Sequence, residues 1–240
     1  MSVKTTAAPA GNDQRLAAIL TTLDLLQEPD AITELRALDV DGRDEVWFGY
    51  FDSDHRTQLA EAATRYDGRA GLYITLNRIH SGLLARSPNR LTRATKKSKT
   101  TSDRDVLWRR WLPVDVDPIR PAGISSTDEE RTCALQAARE CWQYLKTRGW
   151  PEQIVADSGN GYHLLFKIDL PNDALSERLV KSTLEALAAR FNNSRVEIDA
   201  KNFNAARIWK LYGTLSHKGA SLADRPHRPS KLMHNPEATQ

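Results

Sequence analysis

The chain has no run of eighteen apolar residues, so its sequence offers no membrane-spanning helix of ordinary length. Its opening MSVKTTAAPAGNDQ lacks the apolar core of a secretion signal and reads as a disordered leader over residues 1–12. Cysteine is scarce. Cys133 and Cys141 stand eight residues apart on one predicted helix, a spacing unsuited to a disulfide within a helix and without the CxxC partners of a zinc site. Such thiols, with no signal sequence, lead to the expectation of a reduced, cytoplasmic protein with no membrane partner. No GxxxxGKS or GxxxxGKT segment occurs, so a P-loop helicase is not expected in this chain. No His-x-His pair occurs, which disfavours a replication initiator built on paired histidines. Neither sign of charge dominates: 34 Lys and Arg against 31 Asp and Glu leave a net charge of +3, from which no partner can be read.

What is present is enough hydrophobic sequence, 40% over 240 residues, for one large domain or two small ones. The positive charge is unevenly placed. Between Arg86 and Arg110 lie Arg90, Arg93, Lys96, Lys97, Lys99, Arg104 and Arg109, against only Asp103 and Asp105. A second basic stretch runs through His217, Lys218, Arg225, His227, Arg228 and Lys231, making the segment 216–240 a basic tail. Either run alone reads as a solvated loop. Two of them flanking WLPVDVDPIRP (residues 111–121), a strand with paired aspartates, point instead to a polyanion such as nucleic acid.

Hydrophobic spacing predicts a helix over 13–27, strands at ELRALDV and EVWFGYF around an Asp-Gly turn, a helix over 55–66, and a strand at GLYITLN. These make an N-terminal α/β unit within 13–110, and the Ser/Thr/Lys-rich segment 86–104 reads as a mobile basic loop. From Trp111 to residue 215 the predicted order is strand 112–117, helix 127–148, strand QIVAD, turn SGNG, strand YHLLFKI, helix 174–191 and strand RVEID. That is βαββαβ, so the fold class is α+β with a ferredoxin-like or RNA-recognition-motif unit packed on the N-terminal one. Side chains alternate between the faces of a sheet. Leu112, Val114, Val116, Tyr162, Leu164, Phe166, Val196 and Ile198 should face the helices. Asp115, Asp117, His163, Glu197 and Asp199 should meet on the other, open face.

Carboxylates on adjacent strands suit hard divalent cations, magnesium or manganese, and two such ions roughly 3.5–4 Å apart can clamp both oxygens of a phosphoryl displacement. The plainer alternative is that these carboxylates keep an open sheet wet. The turn SGNG followed by Tyr162 and His163 is either a simple hairpin turn or a phosphate holder using backbone N–H groups, Ser158 and His163. In NFNAARIWKLYGT, Arg207 and Lys210 would share a face if the segment is helical, either to neutralise a triphosphate or as surface residues, while Trp209 and Tyr212 read as core.

The Asp-Val-Asp of LPVDVDP, the serine and histidine of SGNGYH, and the Glu-Ile-Asp before residue 200 resemble, in that order, the three motifs of the archaeo-eukaryotic primase superfamily. RRWLPVDVDPIRP and NAARIWKLYGT are similar to its primase-polymerase members in bacterial mobile elements and phages, and GYF and YITLN are similar to the accessory half of that catalytic core. The resemblance implies one primase-polymerase catalytic domain that makes or extends primers. By motif, Asp115, Asp117 and Asp199 would hold two magnesium or manganese ions. Ser158, Gly159, Asn160, Gly161 and His163 would hold the nucleoside triphosphate, with Arg207 and Lys210 as helpers. The implied partners are a single-stranded DNA template and primer, contacted through Arg90, Arg93, Lys96, Lys97, Lys99, Arg109 and Lys218, and a replicative helicase fused or in trans. The sequence departs from many primases in having no cysteine/histidine zinc module. The alternatives are a non-catalytic single-stranded nucleic-acid-binding module, whose outward aromatics are missing, and a two-metal nuclease.

Overall fold

Ile19, Leu23 and Leu26 recur at helical spacing and are all buried, which holds the first helix, α1 (Ala10–Leu26), against the sheet beneath it. The computed structural model describes residues 10–233. The expected leader therefore lies outside the described residues except for 10–12, which open α1, and so does the end of the tail, 234–240.

Strands β1 (Thr33–Leu38) and β2 (Val46–Phe51) pair antiparallel, α2 (Arg56–Tyr66) crosses behind them, and β3 (Gly71–Thr75) joins the far side of β1. The second sheet starts with β4 (Arg78–Ile79), which pairs with the long β6 (Val106–Pro118). Between them β5 (Thr92–Arg93) returns to the first sheet beside β2. After β6 come α3 (Asp128–Lys146), β7 (Gln153–Asp157), β8 (Tyr162–Pro171), α4 (Ala174–Phe191) and β9 (Val196–Ile198). β8 lies between β6 and β7, and β9 covers the other side of β6, so the expected βαββαβ sheet is present. Thr127 opens α3 with a reciprocal cap. Its hydroxyl accepts from the Glu130 N–H at 3.2 Å, and the Glu130 carboxylate accepts from the Thr127 N–H at 2.9 Å.

Strand parity sorts the second sheet as expected on its helical side. Leu112, Val114, Val116, Tyr162, Leu164, Phe166, Val196 and Ile198 share one core with Ala134, Cys141, Val180 and Leu184 of the two helices. The opposite face is not open. Trp111, Ala156 and Leu165 enter the core of the first sheet beneath α1, and the Trp111 indole donates to the Leu26 carbonyl at 3.0 Å. Their apolar surface drives that contact.

Two further expectations change. Segment 86–104 is pinned rather than loose: Thr92 and Arg93 pair with β2, and Tyr50 N–H donates to the Ser87 carbonyl at 2.9 Å. The buried Glu34 carboxylate faces the Thr101 N–H at 3.3 Å while also pairing with Arg36. An edge strand leaves unpaired backbone groups, and this segment takes them up. The segment after residue 202 is not helical: Ile208–Lys210 forms β10 against β3, placing Trp209 on one side and Ile208 and Lys210 on the other. Finally β11 (Lys231–Met233) pairs with β7. The boundaries read from sequence are therefore interlaced, because β4 belongs to the second sheet and β10 to the first.

Candidate active site

The pairing that builds the site is read from the register. Asp115 stands opposite His163 across the β6–β8 ladder, and Asp117 lies two residues on, with its side chain on the same side. β9 pairs Ile198 with Val116, and one residue later the Asp199 N–H donates to the Asp115 carbonyl at 3.1 Å. The three aspartates, His163, Ser158, Asn160, Arg207, Lys210 and Lys218 all line one cavity of about 360 Å³. The first sheet adds Leu38, Tyr73, Ile208 and Trp209 to its wall, and the segments on either side of β10 add Asn202 and Ser216. Glu197, expected on the same face, is exposed and stands outside the cavity.

The paired aspartates are driven apart. Burial raises the Asp117 carboxyl and the negative charge of Asp115 raises it further, against Arg120, Lys218 and His163. Burial also acts on Asp115, but the adjacent His163 ring, with Lys218 and Arg120, outweighs it and leaves that carboxyl below its ordinary value. Oδ1 of Asp115 is buried with no aligned hydrogen-bond donor, although His163 Nε2 lies 3.2 Å away. Two carboxylates side by side, with Asp115 Oδ1 buried and met only off-line by His163 Nε2, are a donor set that a hard divalent cation fits. The third aspartate is engaged: Asp199 Oδ1 accepts from the Lys201 N–H at 2.9 Å, and Oδ2 faces Arg207 at 3.6 Å. Among the described residues, no three acidic, histidine or cysteine side chains converge tightly enough to make a finished metal centre. Asp115 and Asp117 thus fit a cation as they stand, while Asp199 would have to release its present partners.

His163 is held from behind. Its Nδ1 lies 2.7 Å from the Tyr212 hydroxyl, which accepts the Trp209 indole N–H at 2.8 Å. Indole N–H can only donate, and burial raises the Tyr212 hydroxyl well above its ordinary value, so it stays a phenol. The phenol therefore offers its own proton to Nδ1 and holds the ring with Nε2 toward Asp115 Oδ1, 3.2 Å away on the cavity side. His163 and both its supporters are buried, and the expectation that Trp209 and Tyr212 are core residues holds. Nothing in the spacing of 163 and 212 announces this contact.

The turn between β7 and β8 is self-contained. Ser158 Oγ accepts from the N–H groups of Asn160 at 3.2 Å and Gly161 at 2.8 Å, the Ser158 N–H goes to the Gly161 carbonyl, and the Gly159 N–H goes to Asp157. Its four amides are already paired, so the expected backbone cradle for phosphate is not formed by free N–H groups. Asn160 is committed too: its side chain bridges the Ser126 N–H and Ser216 Oγ. What the two glycines provide is closeness. A Cβ on Gly161 would lie 2.5 Å from Asp117 Oδ1, and one on Gly159, at φ +89°, would lie 2.7 Å from the Arg228 carbonyl. The turn fixes β8 against the acidic strand.

The expected cations divide into three groups. Lys210 and Lys218 line the cavity, as does Arg207, whose Nε donates to Asn202. Arg90, Lys96, Lys97 and Lys99 are exposed on the segment beside β2, and Arg93 is exposed but pairs with Glu45 at 2.8 Å. That segment lies four strand spacings from β10, about 19 Å across the first sheet. Arg109 does not belong with them. It is 2% exposed, donates to the Phe203 carbonyl at 2.6 Å and faces Glu177 at 3.6 Å, so it cannot meet a polyanion. Arg225 and Arg228 of the second basic stretch are likewise used inside the molecule, on Glu130 and Asp128 of α3. Residues that the sequence did not single out, Tyr73, Arg120, Asn202 and Ser216, complete the surroundings. Arg120 had a local signal, three residues beyond Asp117 and 3.4 Å from it.

No protein-family model matches the chain. No curated protein matches it either. Among solved structures, one titled "Crystal structure of primase RepB'" aligns with 94% of this chain at 12% identity and a TM-score of 0.48. The chain spans 58% of the length of that structure.

Proposed function

We propose that this chain is a template-directed nucleotidyltransferase that makes or extends primers on single-stranded DNA, with nucleoside triphosphates as substrates and two magnesium or manganese ions as cofactors. The observation that carries this reading is the division of one cavity. The partly buried Asp115–Asp117 carboxylate pair forms one part, and Lys210 and Lys218 line the same space. A ligand that needs divalent cations and also carries several negative charges satisfies both parts; a triphosphate does so.

When bound, the divalent cations would make a primer hydroxyl easier to deprotonate and would neutralise the departing pyrophosphate. The chain's own residues then have simple tasks. Asp115 and Asp117 hold the cations, with Asp199 as the third carboxylate. His163, held from behind by Tyr212, would meet a phosphate oxygen through Nε2 once the cations take its place at Asp115. Lys210 and Lys218 supply positive charge, and no protein nucleophile is required. The exposed Arg90, Lys96, Lys97 and Lys99 would follow a template's phosphates. A zinc module or a helicase, if primer initiation or unwinding needs one, would come from another protein or another part of a longer one.

Incubating the chain with a single-stranded template, ribo- or deoxyribonucleoside triphosphates and magnesium or manganese tests the reading. New oligonucleotides should appear, and Asp115→Asn should abolish them. Products formed only on a supplied primer would keep the polymerase and remove the primase. Degradation of the template would make the site a nuclease, and binding of DNA with neither product would leave a binding module.

A further inference from the structure

Lys210 is an unusual neighbour for a cavity of this kind. It projects from β10 opposite Tyr73, is only 6% exposed, and its Nζ donates to a single acceptor, the Leu215 carbonyl, at 2.7 Å. An ammonium has three protons to place, and this one has a partner for one of them. Of the described residues, none forms a salt bridge with it within 4.0 Å. The carboxylate whose field reaches it, Asp67 after α2, is spent on Arg15 of α1 at 3.1 Å and on the Leu215 N–H at 2.6 Å. On its other sides stand the Tyr73 ring of β3, 5.7 Å from Nζ, and the strap after β10, where Lys218 and His217 add two more basic groups. Burial, and then the charge of Lys218, bring the Lys210 amine down to about 7 against the pull of Asp67.

We propose that Lys210 is a proton-linked phosphate receptor: above neutral pH it stands in the empty site mostly as a neutral amine, and it takes up a proton from solvent as a triphosphate enters. This rests on the triphosphate reading of the cavity and deepens it. The physical reason is economy of charge. A buried ammonium at Lys210 beside the half-buried Lys218, with no anion present, would carry both desolvation and mutual repulsion. An incoming polyphosphate supplies acceptors for the remaining protons and a field that favours the charged amine, so the cation forms only when its counter-ion arrives. Asp115 and Asp117 of β6 and Asp199 after β9 form no ion pair with Lys210, facing His163, Arg120 and Arg207 instead.

The sign follows from linkage. The free amine is low and the bound one is raised, so binding consumes a proton above neutral pH and weakens as pH rises. The test is calorimetry of the full chain with magnesium-dATP and, separately, magnesium-ATP, without template, in two buffers of unlike ionisation heat. At pH 8.0 about 0.9 proton should be taken up per nucleotide bound, and Kd should rise about eightfold between pH 7.5 and 8.5. Lys210→Met should lose both the uptake and the slope. Lys210→Arg, which is always charged, should also lose the uptake yet bind at pH 8.5 at least as well as the natural chain. Binding without proton uptake, or with the same uptake in Lys210→Met, overturns this inference and leaves the triphosphate reading standing. Failure of both nucleotides to bind overturns that reading and this inference with it.

Discussion

Asp115 and Asp117 show what two residues' separation on a strand costs. Their like charges share a partly buried face, and Asp117 carries the raised carboxyl. A carboxyl raised by folding lends stability that is complete below its unfolded value and is lost as pH climbs through the folded one. Above the folded value that loss is in force, and a neutral amide removes it. Asp117→Asn should therefore stabilise the ligand-free chain by about 1 kcal/mol, a rise of about 2–4 °C in a thermal melt, while abolishing nucleotide incorporation. A melt that falls instead would show that the acidic pair is not strained by its own charge. Tyr212 makes the opposite case, a residue whose value is a single hydroxyl. Tyr212→Phe strands the Trp209 indole N–H and His163 Nδ1, and should cost about 1–3 kcal/mol in urea unfolding. Because it also frees the His163 ring, nucleotide affinity should fall while affinity for single-stranded DNA holds. Equal loss of both would make the hydroxyl merely structural.

At the scale of elements, the basic segment beside β2 stands apart from the acidic end of β6, with strands of the first sheet between them. Exposed cations bind polyanions by releasing counterions, so their contribution is read from salt dependence rather than from affinity at one salt concentration. Replacing Lys96, Lys97 and Lys99 together with alanine should reduce the slope of log K against log salt for single-stranded DNA by about 2, leaving nucleotide binding unchanged. Arg109→Ala should act differently. It leaves the Phe203 carbonyl without its donor and should lower stability, with the salt slope unaltered. The sequence alone could not separate these arginines, because a basic run looks the same whether its members face solvent or a carbonyl.

The whole molecule is two sheets that trade edges, with β10 returning to the first and β4 lent to the second. The cavity lies where they meet, lined by the aspartates and histidine from one sheet and by Tyr73, Ile208 and Lys210 from the other. Interlaced sheets cannot open one at a time without stripping strands from each other. Urea unfolding should accordingly be one transition, coincident by far-ultraviolet circular dichroism and tryptophan fluorescence. Two separated transitions would show that the halves are independent after all. Among the described residues, no helix is long and apolar enough to cross a membrane.

Periodicity alone determined a good part of this. The helices α1, α3 and α4, the βαββαβ order, and the parity that sets Asp115, Asp117 and His163 opposite the helices all follow from local spacing, because period and capping are properties of neighbouring residues. Contact across distance was left to the fold. Trp111 and Leu165 close a face that alternation marked only as turned away from the helices, and Arg109 is drawn inside. Lys210 is buried on the cavity wall, a placement its spacing left open, and Tyr212 meets His163 from 49 residues away. Which apolar surfaces find each other, and which polar groups are caught between them, is decided by packing, and packing is not written in any one stretch of chain.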